Sequence, residues 1–359
     1  MEKYIPGIGI CAGIYMLKWV EFKNYLNKQN FQYYSNDTIN IYINFECIMK
    51  NLTLQKNLST IVTLYKQNMV LEIESCVLNL IAHYKAYFKK DNIKTKIYLY
   101  YTSLKNFPQE MKIYNNQYRD YYKNLYTKNA AFKELGDILQ SIIIKELKLI
   151  LSYVPDCYFI ESDMFDSSII PYTISTFSDN KNIILSGDIF DSLYMFQGNF
   201  NTLYINRRFG NSLILISPDE IVYSIIKNKS PFELSIFSNE LYYKLLLSIK
   251  GSKIRNIKSP RGFAIEKLLD CINYGKNNNI LLNDFKSIDS IIEIFPDKYA
   301  DNIKESFQCT DIVTQYNLMN DANIENIKNQ IVDKFDMKSL EELNTRRFYD
   351  FPINLPMLI

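Results

Sequence analysis

The stretch Asn182–Phe196, NIILSGDIFDSLYMF, decides how the rest of the chain reads. Its apolar start has the character of a buried strand. Ser-Gly-Asp breaks that run, and a second acid follows three residues later inside a helical pattern. A strand that ends in a carboxylate and feeds a helix is the repeating unit of a parallel sheet, whose ligands gather at the carboxyl ends of the strands. Working outward, the unit recurs. TINIYIN (38–44) is a strongly β-branched run, followed by a helical pattern over Met69–Lys89, and KIYLYY (96–101) is a second strand. A third strand lies at Cys157–Ile160, a helix over Asp166–Phe177, and short strands at Thr202–Asn206 and Ser212–Ile216. The expected fold class is α/β, a parallel-sheet core with a mostly helical C-terminal region. The expected division is a core over 1–230 that includes a Lys- and Tyr-rich helical region at 105–150, a helical region over 231–335, and an extended tail over 336–359.

On that frame the acids fall at strand ends. Asn44 closes the first strand with Glu46 just beyond it; Glu161, Asp163 and Asp166 follow the third; Asp188 and Asp191 follow the fourth. Carboxylates from separate strands meeting at one rim repel one another unless a cation sits among them, so these six acids are candidate ligands for Mg²⁺ or Mn²⁺. The plain alternative is helix capping, which accounts for Asp166 and Asp188 without any ion.

Composition narrows the classes. With 359 residues and 47% of them hydrophobic, the chain has enough apolar material for one large core or two moderate ones. Lys and Arg number 41 against 39 Asp and Glu, so a net charge of +2 supplies no general attraction to nucleic acid, and any such contact needs a local patch. The abundance of Tyr, Phe, Ile, Asn and Lys, with only 10 Gly, has the character of an AT-rich genome, as in low-GC phages or parasites. The six cysteines are widely spaced without a C-x-x-C pair, which argues against zinc and against a disulfide scaffold. His83, the only histidine, sits in the apolar helical stretch LNLIAHYKAYF and reads as a packed side chain; multi-histidine metal sites are excluded. IPGIGICAGIYMLKWV (5–20) is apolar but too short to span a bilayer and continues into an amphipathic pattern, so it reads as a helix packed on the domain. No membrane role and an intracellular setting are expected.

The order of these parts resembles the flap endonuclease and phage 5′-exonuclease family, a PIN-like nuclease fold. IYINFECIMKNL (41–52) resembles that family's first strand ending in an acid, FIESDMFDSSIIPYTIS (159–175) its Glu-x-Asp-Asp helix start, and IILSGDIFDSLYMF (183–196) its strand ending Ser-x-Asp-x-Asp. LLLSIKGSKIRNIKSPRGFAIEKLL (245–269) is similar to the hairpin that grips duplex DNA, and MKIYNNQYRDYYKNLYTKN (111–129) stands where the family has basic arch helices. The resemblance implies two divalent ions held by an acid cluster to cut phosphodiesters. The departures are specific. Asn44 stands at the first acid position, Thr102 and Ser103 at the place of the acid after strand two, and Ser252 and Arg255 at the two acidic hairpin positions. Asp191 lies three residues after Asp188 where the family pattern has two, a shift that rotates its side chain by about 100°.

The expectation is therefore a divergent, catalytically inactive relative that serves as a DNA-binding or structural and assembly component, of a phage or virus particle on the composition. Its cofactor is none, or a single weakly held Mg²⁺ or Mn²⁺ on Glu46, Glu161, Asp163, Asp166, Asp188 or Asp191. Candidate nucleic-acid contacts are Lys250, Lys253, Arg255, Lys258 and Arg261 in the hairpin, with Arg119 and Lys123 in the arch-like region. The tail NTRRFYDFPINLPMLI (344–359), twice broken by proline, is expected to dock in a groove of its own domain or of a neighbouring subunit, with Phe351, Leu355 and Leu358 as its contacts. Two other readings stand beside this one: an active Mg²⁺-dependent nuclease in which Glu46 stands in for Asn44, and an unrelated α/β scaffold whose acids are caps.

Overall fold

Six strands form one sheet in the order β3-β2-β1-β4-β5-β6. They are β1 (Thr38–Asn44), β2 (Lys94–Thr102), β3 (Cys157–Ser162), β4 (Lys181–Ser186), β5 (Phe200–Arg208) and β6 (Asn211–Leu215). The first five run parallel, and β6 returns antiparallel on β5. The computed structural model describes residues 17–48, 69–102, 143–162, 165–208, 211–226, 229, 234–251, 259–277, 285–308, 310–332, 335–346, 353 and 355–359. The expected α/β class and every expected strand are present. Residues 103–142, which hold Arg119, Lys123 and most of the expected arch-like region, lie outside the described residues.

The central strands are covered on both faces, which is why TINIYIN is apolar nearly throughout. Ile39, Ile41 and Ile43 face one apolar cluster with α1 (Trp19–Lys28), α2 (Met69–Lys89) and helical residues 143–151. In α1, Phe22 and Leu26 are one turn apart and buried, and Phe22 meets Tyr84 of α2 edge-on at 5.2 Å. His83 bonds the Leu17 carbonyl oxygen at 2.7 Å, and burial holds its imidazole below the ordinary value, as suits a packed side chain.

The alternate residues face the second cluster. Tyr42, Tyr98 and Tyr158 stack across three strands at 5.1 and 5.0 Å, so part of the tyrosine excess is a cross-strand ladder. Over that face lie α3 (Ile169–Ser175), a 3-10 helix (Ile189–Phe196), α4 (Pro218–Ile225), α5 (Glu240–Lys250), α6 (Ile265–Asn277), α7 (Asp297–Gln308), α8 (Ile312–Asn317) and α9 (Asp321–Asn329). The helical region after residue 231 thus shares its core with the sheet.

The helix expected over Asp166–Phe177 begins later, at Ile169. Its first residues are drawn off: the Ser167 N–H donates to Thr102 Oγ1 (2.8 Å) and the Ser168 N–H to Asp166 Oδ1 (2.9 Å). The tail expected to be extended over 336–359 is instead helical in two places, α10 (Met337–Arg346) and α11 (Leu355–Leu358), and α11 lies on α2. Leu358 is buried, Leu355 packs against the same cluster, and Lys85 Nζ donates to the Leu358 carbonyl oxygen. The tail's groove therefore belongs to its own chain. Leu355 and Leu358 are spent there, while Phe351 lies outside the described residues. No helix among the described residues is long and apolar enough to cross a membrane.

Strand order reverses direction between β1 and β4: the chain builds outward to β2 and β3, then returns to the other side of β1. This is the switch point of the sheet, where sheets of this kind gather ligands at the strands' carboxyl ends; here the side chains at that place are buried.

Candidate functional site at the sheet rim

The polar side chains at this rim hang from the carboxyl ends of β1 to β4. β1 closes on Asn44 and turns into a helix at Phe45, which carries Glu46 inward; β4 closes on Ser186, and after Gly187 the side chain of Asp188 caps the 3-10 helix by accepting from the Phe190 N–H (3.1 Å). One turn on, Asp191 is fully buried and reaches back to the sheet. Its Oδ2 accepts from Asn44 Nδ2 (2.8 Å), Tyr100 OH (2.8 Å) and Ser186 Oγ (2.5 Å). Asn44 and Tyr100 are register partners on β1 and β2, so the carboxylate bridges three adjacent strands. Three donors on one oxygen form a buried knot that ties Asp191 to the sheet. Its place three residues after Asp188 turns Asp191 back toward β1.

Glu46 makes a second knot beside the first. Its Oε1 accepts from the Thr102 N–H (2.8 Å) and Ser167 Oγ (3.2 Å), tying β1, β2 and the turn before α3. Burial, then the neighbouring Asp166 and more weakly Asp188, push its carboxyl up to about 7 against the opposing pull of the Thr102 bonds. The same acids act on the buried Cys47 thiol, raised well above its ordinary value by burial first and then by Asp188, Asp191 and Glu46. Tyr100 is likewise raised, by burial and by Asp191.

Glu46, Asp166 and Asp188 therefore share one electrostatic field at the rim, and Asp191 lies behind them. Asp188 also caps the 3-10 helix, whereas Asp166, expected as a cap, stands two residues before the Ser168 N-cap of α3 and accepts the Ser168 N–H in the preceding turn. Glu161 does not join them. Strand alternation places it on the face of Phe159, opposite the face that carries Tyr158 and Ile160, and it pairs there with Lys148. Its main chain is gripped by the Gln330 amide, which accepts from the Glu161 N–H (2.8 Å) and donates to its carbonyl (3.0 Å). Asp163 lies outside the described residues, as do Lys253, Arg255 and Lys258 of the hairpin; Lys250 and Arg261 are described and exposed. Among the described residues no group of three or more His, Cys, Asp or Glu side chains is placed to hold a metal ion.

No family model matches the chain, and no curated protein matches it either. The site's chemistry rests on its own residues. Tyr100, Ser186 and Ser167 are the participants that sequence reasoning missed. Ser186 had a signal in its place at a strand end, whereas Tyr100 is one of 29 tyrosines and had none.

Proposed function

We propose that this protein is a divergent, catalytically silent relative of the flap-endonuclease-like nucleases that binds DNA and does not hydrolyse it. The observation that carries the reading is the Asn44–Asp191 hydrogen bond. At the strand end where a two-ion nuclease needs a carboxylate, an amide instead donates to the next acid and joins Tyr100 and Ser186 in occupying its Oδ2. Supporting it are a parallel sheet of order β3-β2-β1-β4-β5 with its acids at the reversal point, and the basic sequence KGSKIRNIKSPRG (250–262) after α5.

The donor set does not fit a pair of divalent ions. Glu161 faces away, Asp191 is bonded into the sheet, and Thr102 spends its main chain and hydroxyl on Glu46 and Ser167. We assign no hydrolytic step to the residues present. Glu46, Asp166 and Asp188 are the acids left at the rim among the described residues, and as placed they do not make a three-ligand metal site.

Incubation with 5′-flap and nicked duplex DNA in Mg²⁺ and in Mn²⁺ tests the reading. Retention of DNA without cleavage, lost on reversing charge at Arg255 and Lys258, is the expected result. Cleavage that disappears in Asp188→Ala would refute it. Neither binding nor cleavage, with a large assembly on sizing, would instead favour a purely structural part.

A further inference from the structure

β3 is an edge of the sheet, and its register fixes which way each residue offers its main-chain hydrogen bonds. The Ile97 N–H of β2 donates to the Asp156 carbonyl oxygen (2.9 Å), so along the parallel ladder Tyr158, Ile160 and Ser162 turn their N–H and C=O toward β2, while Cys157, Phe159 and Glu161 turn theirs outward. Glu161 bears this out. Its outward N–H and C=O are both taken by the side-chain amide of Gln330, which is itself fixed by donating to the Asn326 carbonyl oxygen (3.2 Å). A primary amide is chemically a peptide group, and this pair of bonds is what a neighbouring strand would supply.

Two residues back, no such amide is in place. Among the described residues nothing bonds the main chain of Phe159, whose ring is buried against Phe45 at 5.0 Å. Phe159 lines a cleft of about 180 Å³, with Lys148 and Leu151 on one wall and Gln330 and Val332 on the other. The first wall belongs to the helical residues 143–151, which share the core on one face of the sheet; the second follows α9, which packs on the opposite face. Proteins usually guard a strand edge with a charge, a proline or a bulge. Here Lys148 is paired with Glu161, and Val332 stands 48% exposed. Leu149, Phe335 and Met337, close in the chain to the lining residues, are exposed apolar side chains as well.

We propose that this cleft takes an extended peptide of a partner protein, which adds to β3 beside Gln330 and exchanges main-chain hydrogen bonds with Phe159. The walls select the occupant. They rise from opposite faces of the sheet, so a single strand fits between them, whereas the edge of a second copy would bring its own walls with it. A strand held between two largely apolar walls is met on both faces, so the partner segment is a run of residues such as Val, Ile, Tyr or Phe, with no proline where its N–H is needed. The proposal is independent of the DNA reading above.

Panning a phage-displayed library of random heptapeptides on the whole protein tests it. The expected result is enrichment of β-branched and aromatic residues without proline, and a labelled copy of a selected peptide that binds by fluorescence anisotropy. N-methylation of that peptide, one amide at a time, is expected to weaken binding about tenfold at alternate positions only, because every second amide faces β3. A peptide bound as a helix, or through side chains alone, has no such period of two. Val332→Asp is expected to weaken binding at least about tenfold, and because Val332 is half exposed the variant keeps its fold by circular dichroism. Gln330→Ala, which releases the Glu161 pair, is expected to add one more sensitive amide to the pattern. No enrichment, N-methyl sensitivity without alternation, or unchanged binding in Val332→Asp would overturn the proposal. A dimer on sizing that Val332→Asp dissociates would mark the edge as a contact between copies and contradict the partner peptide.

Discussion

β1 and β4 carry two polar clusters on the same face of the sheet, one at each end, and they are built from different chemistry. At the amino end Asn40 Nδ2 and Tyr42 OH both donate to Asn182 Oδ1 at 3.0 Å, Asn180 Nδ2 donates to Asn40 Oδ1 (3.1 Å), and Asn182 Nδ2 donates to the carbonyl oxygens of Asn180 and Asn199. This cluster is neutral and its donors meet acceptors, which is the usual condition for burying polar groups. At the carboxyl end the same two strands present Asn44, Ser186 and Asp191, with Glu46, Asp166 and Asp188 at the rim, and Glu46 is pushed up to about 7. The amino end shows that amides suffice to register β1 against β4. Carboxylates at the other end are more than the fold requires, since a buried charge is harder to accommodate than an amide. Asn44 links the two ends: it donates to Asp191 at the carboxyl end as Asn40 donates to Asn182 at the amino end.

The largest effect is expected at Asp191. Asp191→Ala leaves Asn44, Tyr100 and Ser186 without their shared acceptor and opens a void, at about 3 to 5 kcal/mol by urea denaturation. A loss under about 1 kcal/mol would mean that the knot is not structural. Next comes Asn182→Ala at the other end, expected to cost about 2 kcal/mol, since Asn40 and Tyr42 lose their acceptor. That loss is independent of pH between 5 and 8, because no member of the cluster titrates there.

The smallest effect has an unusual sign. Glu46 has a carboxyl raised above the ordinary 4.5, so folding disfavours its ionised form. Its contribution is fully present below that value and is lost as pH rises through about 7. Glu46→Gln is therefore expected to raise the melting temperature at pH 8 by a few degrees and to change it little at pH 5. A lower melting temperature at pH 8 would place a cation beside Glu46 and erase the contrast between the two ends.

Much of this was legible in the sequence, for local reasons. TINIYIN coincides with β1 because β-branched runs bounded by polar residues have few other uses, and Met69–Lys89 coincides with α2 because a long apolar helical pattern admits little else. The rim was legible in outline, since acids after parallel strands come to one edge. Which acids meet there depended on alternation. Glu161 follows Phe159 by two and shares its face, a fact that period-two counting would have exposed. The late start of α3 was hidden because the Thr102 hydroxyl that takes the Ser167 N–H comes from a strand 65 residues earlier. The tail's proline-broken, apolar character announced docking, but its seat on α2 is a non-local pairing with no sequence signature.

A crystal soaked in Mn²⁺ and measured at the manganese absorption edge tests the central claim most directly. The expected result is Asn44, Tyr100 and Ser186 still bonded to Asp191, with no more than one weak ion near Glu46, Asp166 and Asp188. Two well-occupied ions about 4 Å apart, with Asp191 turned away from Asn44 to ligate one of them, would contradict it.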